Sequence, residues 1–182
     1  MLALAFVAGR ATIPPVMRRH VLAAITLTLL AAISATAQSR DETGDPAPRF
    51  RAKTTTGEQF NNASIKGKVV LFEFWTTWCK YCEEESALVD NIANEFKSKD
   101  LIVLAVNVLE ADKTVKNYLL QHPRSVPIVL TKDTNLAAMY NAQVYPIYVV
   151  VDRDGNIAAE QRGAAGERGL RRILRRAGLE SE

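Results

Sequence analysis

The only two cysteines of the chain, Cys79 and Cys82, lie within four residues of each other in the run Cys79-Lys80-Tyr81-Cys82. A framework of stapling disulfides spreads its cysteines widely, and this pair does not. Two thiols at this spacing fall one helical turn apart on one face, close enough to form a disulfide. At the start of a helix the free backbone N–H groups and the dipole present partial positive charge. A cysteine placed there has a stabilised thiolate that attacks disulfides near neutral pH, and Lys80 adds further positive charge. In such an arrangement Cys79 is the exposed nucleophile and Cys82 the sheltered resolving thiol. Cys79 attacks a partner's disulfide, a mixed disulfide forms, and Cys82 releases the product.

Other uses of two cysteines fit less well. Closing a four-residue loop contributes only about 2 kcal/mol in the loop-entropy estimate, so a purely stabilising disulfide gains little. Structural zinc wants four ligands, and beyond the N-terminal region the chain offers two cysteines and the distant His122. A c-type haem needs histidine at position 83, where the chain has Glu83. Copper(I) on two thiolates suits the softness of the ligands and stays open.

The elements around the pair support the strand-to-helix placement. Val69-Val70-Leu71-Phe72-Glu73-Phe74 is a mostly apolar run, the pattern of a strand buried on both faces. Ser86–Phe96 has helical periodicity, with Leu88, Val89, Ile92, Ala93 and Phe96 on one face. Upstream, Phe50–Phe60 reads as a short hairpin around Thr56-Gly57, followed by a turn at Lys66-Gly67-Lys68. Downstream, Leu101–Val108 is a strand and Asp112–Gln121 a helix with Val115, Leu119 and Leu120 inward. Pro127–Leu130 is a short strand and Leu136–Tyr140 a short helix. Ile147–Val151 returns through the turn Asp152-Arg153-Asp154-Gly155 to Ile157–Gln161, and a last helix covers Gly166–Ala177 with Leu170, Ile173 and Leu174 packing. Strands alternating with helices and ending in a hairpin and a helix define an α/β fold, a mixed sheet with helices on both faces.

Apolar residues make up 48% of the 182-residue chain, enough for a real core. The formal charge of +3 comes from the N-terminus: Arg10, Arg18 and Arg19 precede residue 38 and no acid does, leaving 20 basic and 20 acidic residues beyond. A general nucleic-acid role loses its main support there. Met17-Arg18-Arg19-His20 reads as a positive n-region, Val21–Ile33 as an apolar h-region and Ala35-Thr36-Ala37 as a signal-peptidase site. Residues 1–37 are therefore expected to be a signal peptide, with Met17 an alternative start. An uncleaved anchor is the competing reading, because Val21–Ala37 is close to spanning length. Export places the pair in a compartment that tolerates disulfides, the periplasm or another extracytoplasmic space. No cysteine follows the h-region, which speaks against a lipoprotein anchor. Residues 38–48, with Gly44, Pro46 and Pro48, read as a linker, and a single domain follows over 49–182.

The segment Phe74-Trp75-Thr76-Thr77-Trp78-Cys79-Lys80-Tyr81-Cys82 resembles the active-site segment of thioredoxin-like proteins, particularly the TlpA/ResA group of exported reductases. The resemblance runs from about Pro46 to Ala177 and includes the Asp-x-Asp-Gly turn after the strand that follows Pro146. It implies a thioredoxin-like fold with an N-terminal hairpin extension. Three further residues take roles by position. Pro146 matches the family's cis-proline, which lets the neighbouring backbone pair with an incoming peptide strand. Glu73, six residues before Cys79, matches the buried acid of thioredoxins and would accept the Cys82 proton. Glu85, three after Cys82, matches an acid of the ResA-type subgroup, against a plain reading as a solvated helix residue. Trp78 shields the site and, with Tyr81 and Tyr145, forms its partner surface.

Tyr81 stands where many reductases have proline, and Tyr145-Pro146-Ile147 replaces the more usual small residue, Pro, Thr. Both departures flank the sulfurs and bear on potential and partner choice. The resemblance implies reduction of disulfides in exported proteins, including a role in cytochrome c maturation, with re-reduction by a membrane-embedded thiol donor. No bound cofactor or metal is implied. A disulfide oxidase or isomerase on the same site and a copper-binding or interaction module are the alternatives. The arginines of the last helix, Arg168, Arg171, Arg172, Arg175 and Arg176, read as a solvated face suited to a helix C-terminus, with an acidic partner or anionic lipid surface as the second reading.

Overall fold

The computed structural model describes residues 44–180, so the expected signal peptide (1–37) and the first part of the expected linker (38–43) lie outside the described residues. The described strands are β1 (Arg51–Thr54), β2 (Gln59–Asn61), β3 (Val69–Trp75), β4 (Leu101–Asn107), β5 (Ile128–Thr134), β6 (Ile147–Val151) and β7 (Ile157–Arg162). The helices are α1 (Lys80–Glu95), α2 (Asp112–Gln121), α3 (Leu136–Met139) and α4 (Gly166–Arg176), with a single 3₁₀ turn at Lys97–Lys99. The strands form one mixed sheet in the order β2-β1-β5-β4-β3-β6-β7.

β3 lies between β4, to which it is parallel, and β6, to which it is antiparallel. That central place explains why every residue of its run is buried. Alternate side chains leave opposite faces. Val69, Leu71 and Trp75 join one core with Val89, Ile92 and Phe96 of α1, Val115 of α2, and Leu170, Ile173 and Leu174 of α4. Val70, Phe72 and Phe74 join the other with Phe50, Phe60, Leu136 of α3 and Tyr140. Helices therefore cover both faces. Glu73 shares the pleat of Leu71 and Trp75, the face on which α1 and the cysteines lie.

The hairpin β1–β2 is bound into the sheet, since β1 also pairs antiparallel with β5. Within the expected linker, Ala47 N–H donates to the Gly155 carbonyl at 2.9 Å and Ile157 N–H donates to the Asp45 carbonyl at 2.8 Å. A Cβ on Gly44 would lie 1.9 Å from the Ile157 carbonyl oxygen, so this close approach requires glycine.

One expected core residue faces water. On α2, Val115 is buried, Tyr118 and Leu119 pack partly against the core, and Leu120 is 83% exposed. Residues three and four after Val115 share its face, whereas Leu120 is five on and lies well round the helix. Tyr118 occupies the place the apolar pattern gives to Leu120. Leu120→Gln is therefore expected to change stability by less than about 0.5 kcal/mol, and Val115→Ala to cost roughly 1–3 kcal/mol. Thermal unfolding of the two variants checks the difference.

Candidate functional site

β3 ends at Trp75, and the loop Thr76–Trp78 carries the chain to α1. Cys79 is the N-cap of α1, with extended backbone, and its sulfur accepts the Cys82 N–H at 3.2 Å. The two cysteines are joined by a disulfide, with their Cα atoms 5.2 Å apart. Cys79 is 7% exposed and Cys82 2%, so the difference in access is small. Position within the helix separates them more clearly, because Cys79 Sγ receives a helical N–H.

The loop is fastened by a residue that no sequence pattern singles out. Glu110 accepts the Thr77 N–H and the Asn107 side-chain amide, both at 2.7 Å, and the Thr77 hydroxyl at 2.5 Å. Asn107 ends β4, level with Trp75 at the end of β3. The carboxylate thus ties two parallel strand ends together beneath the cysteine loop. A Glu three residues past a strand end carries no signal of its own.

Pro146 is buried, and the Tyr145–Pro146 peptide is cis. Because Ile147 pairs with Phe74 in antiparallel register, Pro146 falls level with Trp75, at the end of β3 from which the cysteine loop springs. Trp78 is 71% exposed and meets the Tyr145 ring edge-on at 5.7 Å, while the Tyr145 hydroxyl donates to the Ala142 carbonyl. Tyr81, Val144 and Leu109 are exposed as well. Lys80 points to solvent and meets Glu84 at 3.6 Å.

Beneath this rim lie two buried acids with different partners. Glu73 is fully buried and lies opposite Tyr148 on β6. One of its oxygens, Oε2, accepts from Arg124 Nη2 at 2.9 Å, and the other, Oε1, is buried without a partner. Arg124, on the segment between α2 and β5, also donates through Nε to Asp90 of α1 at 2.7 Å. The Ser125 N–H donates to the second Asp90 oxygen at 2.6 Å. Burial lifts the Glu73 carboxyl above the usual carboxylate range, although the charge and hydrogen bond of Arg124 oppose it. Burial alone would weaken the hold of Arg124 on its proton, but the carboxylates of Glu73 and Asp90 strengthen it. Arg124 and Asp90 are not legible in the sequence, because 51 and 17 residues separate them from Glu73.

Glu85 is buried rather than solvated. It accepts the Tyr148 hydroxyl at 2.8 Å, the Ala165 N–H at 2.9 Å and the Gly166 N–H, which places its carboxylate on the N-terminus of α4. Burial, with Glu73 and Glu85 nearby, pushes the Tyr148 hydroxyl far above the ordinary tyrosine range, so it remains a donor. On α4, Arg171 pairs with Glu95 and Glu167, and Arg168, Arg172, Arg175 and Arg176 are exposed. Among the described residues no group of three or more His, Cys, Asp and Glu side chains converges as a metal would need.

A disulfide between a helix N-cap cysteine and one a turn on, after a central buried strand whose end is level with a cis-proline, defines a thiol–disulfide oxidoreductase on a thioredoxin-like fold. The chain belongs to the Redoxin family, whose model matches residues 42–174. It is 30% identical over 144 residues to the thiol-disulfide oxidoreductase ResA of Bacillus subtilis (strain 168), an alignment covering 79% of this chain and 80% of that protein. It is 36% identical over 117 residues to the thioredoxin-like protein YneN of the same strain, with 63% and 68% covered. Among solved structures it resembles a thiol:disulfide interchange protein of the thioredoxin family from Chlorobium tepidum TLS. The TM-score is 0.65 at 26% identity, over 75% of this chain and 98% of that one.

Proposed function

We propose that the protein is an extracytoplasmic reductase of disulfides in other exported proteins, acting through Cys79 and Cys82. The observation that carries this reading is the sulfur of Cys79 at the helix N-cap with an N–H directed at it, on a loop that leaves β3 at the level of cis-Pro146. Reduced Cys79 attacks one sulfur of a partner's disulfide, and the partner's other sulfur leaves as a thiolate. Cys82 gives its proton to Glu73, and its thiolate then attacks Cys79. The bond from Cys79 to the partner breaks, the partner leaves reduced, and Cys79–Cys82 is oxidised by two electrons. A thiol donor at the membrane returns those electrons.

Trp78, Tyr81 and Tyr145 offer an aromatic surface to the partner, and the backbone at Pro146, level with the end of β3, is offered for strand-like pairing. Lys80 modulates the site from solvent, where Glu84 partly offsets its charge. Residues 1–37 serve as the export signal, or hold the domain at a membrane if they are retained, and 38–43 form the remaining linker. A part in cytochrome c maturation is the narrower role proposed for it.

The reduction potential of the pair in glutathione or dithiothreitol buffers, read by Trp78 fluorescence, tests the direction. A value near that of thioredoxin, about −270 mV, is expected. A value near −120 mV would make the protein an oxidant and overturn the assignment of reductase.

A further inference from the structure

Glu73 and Asp90 share one guanidinium, and they share it unequally. The Arg124 side chain is 5% exposed, held by Glu73 on one side and by Asp90 on the other. With both acids ionised the trio carries one net negative charge; with one protonated it is neutral. Asp90 keeps partial contact with water and also holds the Ser125 N–H, so it carries its charge at lower cost. Glu73 has no contact with water and one empty acceptor oxygen, so the proton falls to it.

We propose that Arg124 and Asp90 are positioning residues that set the proton affinity of Glu73 in opposite senses. Arg124 holds Oε2 and keeps the carboxyl able to ionise at all, leaving Oε1 to take and return a proton. Asp90 draws on the same guanidinium, and so prevents Arg124 from fixing Glu73 permanently as a carboxylate. Apart from the cysteines, whose thiols appear only on reduction, the charged and titratable groups around Glu73 among the described residues fit this division. Arg124 comes from the α2–β5 segment, Asp90 and Glu85 from α1, Tyr148 from β6, and Tyr118 of α2 stands further off. Arg124 is the single cation of the set. Glu85 is engaged by the α4 N-terminus and the Tyr148 hydroxyl, so Asp90 is the one acid that competes for Arg124.

The inference rests on the role given to Glu73 above, and the test separates the two. In the reduced protein, the ¹³C carboxyl resonance of Glu73 is titrated beside the pH dependence of the rate at which a disulfide-bonded fluorescent peptide is reduced. Arg124→Gln is expected to move the Glu73 midpoint up by about one pH unit or more, and to slow reduction at neutral pH roughly tenfold. Asp90→Asn is expected to move the midpoint down, and Arg124→Lys to fall between wild type and Arg124→Gln. A structural role alone would lower the unfolding temperature of both variants without opposite shifts of the midpoint. Midpoints that stay put, or that move in the same direction, overturn the proposal. If the midpoints shift as stated but Glu73→Gln reduces the peptide at the wild-type rate, the tuning stands and the proton-acceptor role of Glu73 falls.

Discussion

Cys79→Ser is expected to abolish disulfide exchange, lowering the rate by roughly a thousandfold or more, whereas Cys82→Ser attacks once and stops. Access does not create this asymmetry, because both cysteines are nearly closed off, at 7% and 2% exposure. Charge stabilisation does. Cys79 sits at the N-cap, where the orphan N–H groups and the dipole favour an anion, and the backbone N–H of residue 82 points at its sulfur. This is a place that favours a thiolate once the disulfide is reduced. Cys82 lies a turn further in, within the core that Val89 and Ile92 also form.

Cys82→Ser keeps the N–H that supports Cys79, so the first attack survives while the resolving attack is lost. The variant should accumulate a protein–partner mixed disulfide, visible as a stable adduct in intact mass measured without reductant. Cys79→Ser should give no adduct at neutral pH. Adduct on Cys79→Ser alone would reverse the order of the two thiols, whereas turnover by Cys82→Ser would remove the resolving role of Cys82 and with it the proton that Glu73 takes.

The features legible in the sequence are those carried by local pattern. The apolar run over Val69–Phe74, followed by a helical period, puts the cysteines at a strand-to-helix junction, and β3 and α1 occupy those places. The lone acid of that run, Glu73, reads as a buried carboxylate through the resemblance to thioredoxins, and the structure buries it completely. Side-chain partners far apart along the chain carry no such signal. Arg124 reads as an ordinary loop arginine until the fold brings it to Glu73. Glu110 resembles a surface acid until it receives the Thr77 and Asn107 donors. Glu85 has a solvated reading beside the one its resemblance implies, because Glu83 and Glu84 precede it, yet a helix turns 100° per residue and carries the third acid inward. Leu120 misleads for the same reason in reverse: hydrophobicity suggests a buried position, and helical phase puts it in water.

Glu85→Ala is expected to destabilise the protein by about 3–4 kcal/mol, with the unfolding temperature falling by roughly 10 °C. α4 begins at Gly166 after Ala165, which has no side chain able to cap the helix. The carboxylate of Glu85 supplies that cap from α1, taking N–H groups from Ala165 and Gly166 and meeting the positive end of the helix with its charge. It also satisfies the buried Tyr148 hydroxyl. Truncation removes these bonds together and strands the hydroxyl in the core, where an unpaired polar group costs about 1–3 kcal/mol. Since α4 contributes Leu170, Ile173 and Leu174 to the core beneath the cysteines, its first turn cannot loosen without cost. Glu85→Gln keeps an acceptor but loses the charge, and should cost about half as much. The reduction potential measured on the same variants decides whether Glu85 also modulates the disulfide. A potential near wild type beside a large loss of stability confines Glu85 to holding α4 in place. A shifted potential with little loss of stability would instead mean that the cap contributes little, and that the carboxylate acts mainly on the sulfurs.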